Sequence, residues 1–426
     1  MQRQYTDHYG GQRVVFLADA RLAGIRRQGT QSCWSDRYLG TDSSWLWGES
    51  PVRFSEIYDG EVYNAGFVTP EWSTAEVFSW PKDILFPQEG ELICEQERVA
   101  AKSVFRTPAG EIVVDFGQEV TGYVEFTVEA EEGEEVCFLH GEVLDRDGNF
   151  YNANYRSAKA QVRYFCREGR QTWHPLLTFF GFRYIKLERF PGEIRTEQFC
   201  AIAVYSAMRQ TGTLRCGVPE INQLVSNILW GQRGNFLDVP TDCPQRDERL
   251  GWTGDAQVFI KAASYNYDVE KFFRKWLHDV AAEQRADGAV GQVVPDYLPD
   301  NAPSAAWGDA AIICPWQLYL SYGNTQILDE QFDSMRRWVE YSRSVTTTPF
   351  LWTGGRHFGD WLALDAPSGS IRDLPGRISS PRRIMPIFVR CWPRRGGCTG
   401  RTGCPGRMSK QDGLCRNAVY PACAQR

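Results

Sequence analysis

The sequence predicts a multidomain β + α protein, with a β-sandwich followed by an all-α toroid, and three observations carry that reading. Residues 91–205 hold short β-branched and aromatic runs separated by turn residues. After Val204 the apolar period changes from two to that of a helix. Between two of the helical stretches, residues 238–255 pack charge, an aromatic and two glycines into a loop that enters a buried helix.

The β-region is read from Glu111–Phe116, Tyr123–Val128, Val136–Leu139 and Tyr184–Leu187, with turns at Pro108–Gly110, Glu131–Gly133 and Arg146–Asn149. Beyond it, Ile221, Leu224, Val225, Ile228 and Leu229 mark one helix, and Phe272, Phe273, Trp276, Leu277 and Val280 mark another. Residues 310–319 and 335–345 continue the series, about five helices in all, without intervening strands.

Composition sets outer limits. A chain of 426 residues, 42% hydrophobic, has room for two or three domains with real cores. No run of about 18 apolar residues occurs, so no membrane partner is expected, and MQRQYTDHYG lacks the apolar core of a signal peptide. A cytoplasmic location is the expectation. The 13 cysteines show no metal-ligand spacing, and His140, Glu142 and Asp145 read as a strand surface; neither a metal nor a cofactor is expected.

In the charged loop, Pro240 and Pro244 remove backbone donors and force an extended or turning path. A helix begins after it, with Thr253 or Asp255 as its cap. Glu248, Trp252 and Asp255 are spaced by four and three residues, so a helical turn through them would place all three on one face. A carboxyl beside a large apolar ring has its charged form disfavoured, which suits a general acid. Asp242 and Arg246 offer the acceptor and forked donors that hold sugar hydroxyls. The plain alternative is a solvated loop with exposed ion pairs.

The run PTDCPQRDERLGWTGDAQ at 240–257 closely resembles the signature of bacterial and fungal α-L-rhamnosidases of glycoside hydrolase family 78. That resemblance implies a catalytic (α/α)6 barrel of twelve helices, present here in part over residues 206–370. It implies Glu248 as general acid, Asp242 and Arg246 as binders of the rhamnosyl group, Trp252 as an aromatic of the pocket and Asp255 as a further acidic residue. VDFGQEVTGYVEF, HGEVLDRDGNFYNANYR and FFGFRYIKLERF resemble the family's preceding β-sandwich at 91–205, and their residues are expected to serve packing alone. GTDSSWLWGESPVRFSEIYDGEVYNA, from Gly40, resembles the end of an N-terminal β-domain, so residues 1–90 are read as its remnant.

Two further loops, Ser304–Asp309 and His357–Trp361, place a tryptophan beside a Gly-Asp pair. By resemblance Trp307 and Trp361 line the sugar pocket, while Asp296 and Asp309 bind hydroxyls or cap helices. Family members invert configuration, with an acid and a base about 6.5–9.5 Å apart to admit water. Their base is a glutamate on a later loop, beyond Asp360, and nothing in residues 371–426 matches it.

Those last 56 residues carry 12 Arg or Lys against two Asp or Glu, a charge of +10, whereas the first 370 carry −16. Five cysteines fall there without a zinc spacing, so a nucleic-acid or zinc-binding tail is rejected. The abrupt Arg, Gly, Pro and Cys excess is read as a shifted reading frame, giving a disordered tail and an incomplete, inactive chain. The expected partner is a rhamnose-containing carbohydrate or glycoside. A non-catalytic carbohydrate-binding or structural fragment, and a related inverting hydrolase of another sugar, stand as alternatives.

Overall fold

The computed structural model describes residues 19–28, 31–40, 42–79, 81, 87–298, 301–346 and 352. Trp361, the position expected for the general base and the 371–426 tail lie outside the described residues. A two-stranded hairpin, Asp19–Gln28 with Gln31–Gly40, precedes the two main units.

The β-unit is one ten-stranded sheet that curls around a single core, so the two layers expected of a sandwich are parts of one hydrogen-bonded surface. Its order is Val52–Glu56, Gly60–Asn64, Gln161–Phe165, Glu135–Gly141, Phe180–Arg189, Ile112–Ala130, Phe199–Ser206 and Ile93–Ala100. Every pairing along this path is antiparallel except Gly60–Asn64 with Gln161–Phe165. The runs expected at 111–116 and 123–128 are two halves of one 19-residue strand. Its first half pairs with Phe180–Arg189 and Ser103–Arg106, its second with Phe199–Ser206 and Gly169–Trp173. Between them Gly117 takes φ 73°, which an L side chain rarely tolerates, and bends the strand around the core. Phe126, Phe138, Phe180, Phe182 and Phe199 fill that core. Strands 52–56 and 60–64 belong to this sheet, although the sequence reading grouped them with the N-terminal remnant.

Five helices follow among the described residues: α1 (Pro219–Asn235), α2 (Thr253–Asn266), α3 (Glu270–Glu283), α4 (Ala310–Tyr322) and α5 (Gln326–Ser344). Phe272, Phe273, Trp276, Leu277 and Val280 form one buried stripe on α3, as their spacing predicts. They join residues of α2, α4 and α5 in a second core. Gly323, left-handed at φ 72°, ends α4 by donating its N–H to the Tyr319 carbonyl at 2.8 Å. Helix α1 differs. Its C-terminal end packs on the β-sheet, where Thr121 Oγ1 donates to the Gly234 carbonyl at 2.9 Å, while Ile221, Leu224 and Ile228 are exposed. Among the described residues no helix is long and apolar enough to cross a membrane.

Candidate active site

The loop between α1 and α2 lies against the β-unit and is closed on itself by one residue pair. Asp242 donates its N–H to the Leu250 carbonyl at 3.1 Å, and Asp242 Oδ1 accepts the Leu250 N–H at 2.9 Å. No helical turn runs through Glu248 and Trp252, contrary to the spacing argument, because α2 starts only at Thr253. Trp252 is the N-cap residue and makes no side-chain cap. Thr253, one of the two expected caps, instead donates its hydroxyl toward the Gln292 carbonyl at 3.0 Å. Asp255 sits in the first turn, where a carboxylate is favoured by the helix dipole.

Loop folding therefore does the work that helical spacing was expected to do. Arg246 bridges two of the predicted residues: its Nη2 donates to Asp242 Oδ2 at 2.9 Å and its Nε to Glu248 Oε2 at 2.9 Å. The Asp242 side chain is only 6% exposed, against 33% for Arg246 and 19% for Glu248. The cluster thus opens to solvent on the arginine and glutamate side. Burial raises the Asp242 carboxyl above its ordinary range, and the charge of Glu248 adds to this, while the Leu250 amide and Arg246 oppose it. Partial removal from water also raises Asp255, helped by Asp242 and Glu248, so the acidic groups feel one another across the site.

The sequence reading assigned the β-unit to packing alone, and here the structure corrects it. Arg156 donates from Nη2 to Glu248 Oε2 at 2.8 Å and from Nε to Asp247 Oδ1 at 2.5 Å. The Ser157 amide and hydroxyl both reach Asp247 Oδ2. Tyr58 donates its hydroxyl to the Glu248 carbonyl at 2.7 Å. Buried Arg249 at φ 51° donates to the carbonyls of Ile57 and Phe179 at 2.9 and 2.8 Å, with its guanidinium over the rings of Tyr58 and Phe179. Arg156 lay inside the segment HGEVLDRDGNFYNANYR, but nothing local in it points to a residue 92 positions away.

A third fastening joins the loop to a carboxyl pair. Gln245 Nε2 and Asn154 Nδ2 donate to Glu142 Oε2 at 3.0 and 2.8 Å, and Glu142 stands near enough to Glu119 for the two carboxyls to perturb each other. Two neighbouring buried carboxyl groups disfavour each other's charge. Burial, and then the charge of Glu142, push Glu119 well above the usual carboxylate range. His140 takes no part in this pair: it is buried, stacked on Phe180 at 3.8 Å, with Nδ1 2.7 Å from the Ala160 carbonyl. Burial lowers its pKa to about 3, so it is a neutral core residue.

Trp307 meets the start of α2 directly. A Cβ added at Gly254 would lie 2.7 Å from its indole ring, so glycine there permits the contact. Asp309 stands at the N-cap position of α4 but does not cap it. Its Oδ1 accepts from Trp338 Nε1 at 2.9 Å and its Oδ2 from the Ala306 N–H at 3.1 Å, which fixes the backbone next to Trp307. Asp296 directs its N–H at Glu283 Oε2, two residues after Val294, whose N–H donates to the Gly251 carbonyl of the charged loop at 2.9 Å. Asp242, Arg246, Glu248 and Asp255 thus share one electrostatic cluster, Trp252 and Trp307 flank the start of α2, and Trp361 lies outside the described residues.

Comparison with known proteins bears on this arrangement. Residues 209–377 match the bacterial alpha-L-rhamnosidase 6 hairpin glycosidase domain, and residues 105–205 match the bacterial alpha-L-rhamnosidase concanavalin-like domain. The chain is 37% identical over 336 residues to an alpha-L-rhamnosidase of Formosa agariphila, covering 76% of this chain and 36% of that protein. It is 36% identical over 368 residues to an alpha-L-rhamnosidase of Streptomyces avermitilis, covering 83% and 35%. The native α-L-rhamnosidase structure from Aspergillus terreus superposes with a TM-score of 0.74 at 36% identity, covering 78% of this chain and 40% of that one. The Streptomyces avermitilis enzyme, solved with L-rhamnose, superposes with a TM-score of 0.71 at 34% identity, covering 77% and 33%. The chain spans about a third of the length of the relatives it matches.

Proposed function

Because the chain belongs to the bacterial α-L-rhamnosidase family, we propose that it contributes the acid half of an active site that hydrolyses terminal α-L-rhamnosyl residues with inversion of configuration. The observation that carries the reading is the run of ion pairs from Asp242 through Arg246 to Glu248, in a loop that Tyr58 of the β-unit fastens by its hydroxyl.

In this reading Glu248 is the general acid. Its Oε2 is taken by two guanidinium groups, so Oε1 carries the proton to the leaving oxygen as the glycosidic bond breaks. Asp242 accepts from sugar hydroxyls and Arg246 donates to them with a fixed fork that lysine cannot reproduce. Trp252 and Trp307, with Trp361 from the later loop, give the apolar wall for the methyl group and ring face of the sugar. Asp255 adds a further polar contact at the rim. A second carboxylate, expected beyond Asp360, activates water on the opposite face of the ring about 6.5–9.5 Å from the acid.

The test is hydrolysis of an aryl α-L-rhamnoside by the full-length protein, with the product anomer followed by NMR. Release of β-L-rhamnose as the first product is expected. Binding of L-rhamnose without turnover would replace this reading with a carbohydrate-binding role, and preference for another monosaccharide in competition would move it to a different inverting hydrolase.

A further inference from the structure

We propose that Arg156, carried by the β-unit, is a positioning residue for the acid: it fixes the Glu248 carboxyl from outside the helical domain. The proposal rests on Glu248 being the general acid and concerns how that acid is held.

Three features single out Arg156. Its guanidinium is divided between two jobs, with Nε anchored on Asp247 and Nη2 aimed at Glu248 Oε2. Asp247 is itself held by the Ser157 amide and hydroxyl, so the anchor has partners besides Arg156. Arg156 also adopts φ 60° and ψ −112° at the end of the 3-10 turn Ala153–Tyr155, a conformation costly for a residue with a Cβ. Such a backbone persists only where surrounding contacts enforce it, and here those contacts aim the side chain at the acid.

Arg246 cannot do this alone. It serves both Asp242 and Glu248, and both it and Asp242 are expected to turn toward the sugar when substrate enters. Arg156 has its second contact on the neighbouring Asp247 instead, so it can hold Oε2 while Arg246 is drawn to the sugar. Tyr58, from the same unit, secures the Glu248 carbonyl. The β-unit thus grips both the main chain and the side chain of the acid, and its docking becomes a condition for proton donation.

The experiment compares Arg156→Met, Arg156→Lys and Glu248→Gln in the full-length protein on alkyl α-L-rhamnosides and on a dinitrophenyl α-L-rhamnoside, whose leaving group needs no proton. Circular dichroism and L-rhamnose titration serve as controls on folding and on the sugar site. Arg156→Met is expected to lower kcat on alkyl substrates by about 10- to 100-fold, the effect of an acid misplaced by about 1 Å, with KM little changed. The loss on the dinitrophenyl substrate should be small, and Arg156→Lys should recover part of the alkyl activity. Asp247→Asn, which loosens the anchor but keeps both arginines, should show the same substrate pattern more weakly. Equal losses on both substrate classes, or none, in a folded Arg156→Met protein would overturn the proposal while leaving Glu248 as the acid. If Glu248→Gln shows no leaving-group dependence, the acid assignment falls and Arg156 with it.

Discussion

Replacing Glu119 with glutamine should make the protein progressively more stable than its parent as pH rises, and the carboxyl pair beneath the active-site loop says by how much. Glu119 lies near Glu142, Glu142 accepts from Asn154 and Gln245, and Arg183 and Arg246 are the cations that reach the pair. Burial, then mutual repulsion, raises Glu119 in the folded state, and burial raises Glu142. A carboxyl raised on folding binds its proton more tightly in the folded than in the unfolded chain. Its contribution is therefore whole below the unfolded value and is lost as pH climbs toward the folded one. The loss is about 1.4 kcal/mol for each pH unit over which the folded pair keeps its proton and the unfolded chain does not. In Glu119→Gln the neutral side-chain amide does not titrate, so the variant escapes that loss. For a cooperative unit of this size, about 1 kcal/mol moves Tm by roughly 2–4 °C. The gap between variant and parent should widen by roughly 3–6 °C per pH unit above about pH 4.5 until the pair ionises. Thermal melts of both proteins from pH 4.5 to 8 provide the assay. Parallel curves, or a variant less stable at pH 7 than at pH 5 relative to its parent, would refute the raised Glu119 carboxyl.

Other expectations follow from single contacts. Arg246→Lys keeps the charge but loses the fork that spans Asp242 and Glu248, so titration should show weaker L-rhamnose binding; unchanged affinity would return Arg246 to a solvated ion pair. Gly254→Ala gains helix propensity, up to about 1 kcal/mol, yet displaces the Trp307 indole that its Cβ would meet at 2.7 Å. Sugar affinity should fall several-fold, by about 1 kcal/mol, with Tm nearly unchanged, and unaltered affinity would remove Trp307 from the pocket. Trp338→Phe leaves Asp309 Oδ1 buried without its indole donor and should cost about 1–3 kcal/mol in denaturant melts, with a loss within error showing that the carboxyl finds another partner.

What the sequence revealed and what it hid divide along the reach of the contacts. Phe272 to Val280 announced α3 because a helix repeats its buried face every three to four residues, and every member of that stripe is buried. Pro240 and Pro244 excluded helix from the loop for reasons internal to those residues. The same periodic logic failed at Glu248, Trp252 and Asp255, where a single backbone and side-chain closure between Asp242 and Leu250 sets the geometry instead. It did find α1, although Ile221, Leu224 and Ile228, whose helical spacing marks it, stand exposed. The long strand Ile112–Ala130 read as two runs because Gly117 interrupts its apolar alternation while the hydrogen bonding continues. Most of the site's support was invisible for one reason. Tyr58 and Arg156 act on Glu248 across 190 and 92 residues, and only the pairing of strands 52–56 and 60–64 with the main sheet brings Tyr58 there.

The most direct test of Glu248 as the acid held by this loop is a leaving-group series. kcat/KM for the full-length protein and its Glu248→Gln variant would be measured on α-L-rhamnosides whose leaving groups span poor alkyl alcohols to activated phenols. The variant should lose about 10²- to 10⁴-fold on the poorest leaving groups, and the deficit should shrink steadily as the leaving group improves. A deficit of the same size across the whole series would contradict the account, because proton donation would then not be what Glu248 supplies.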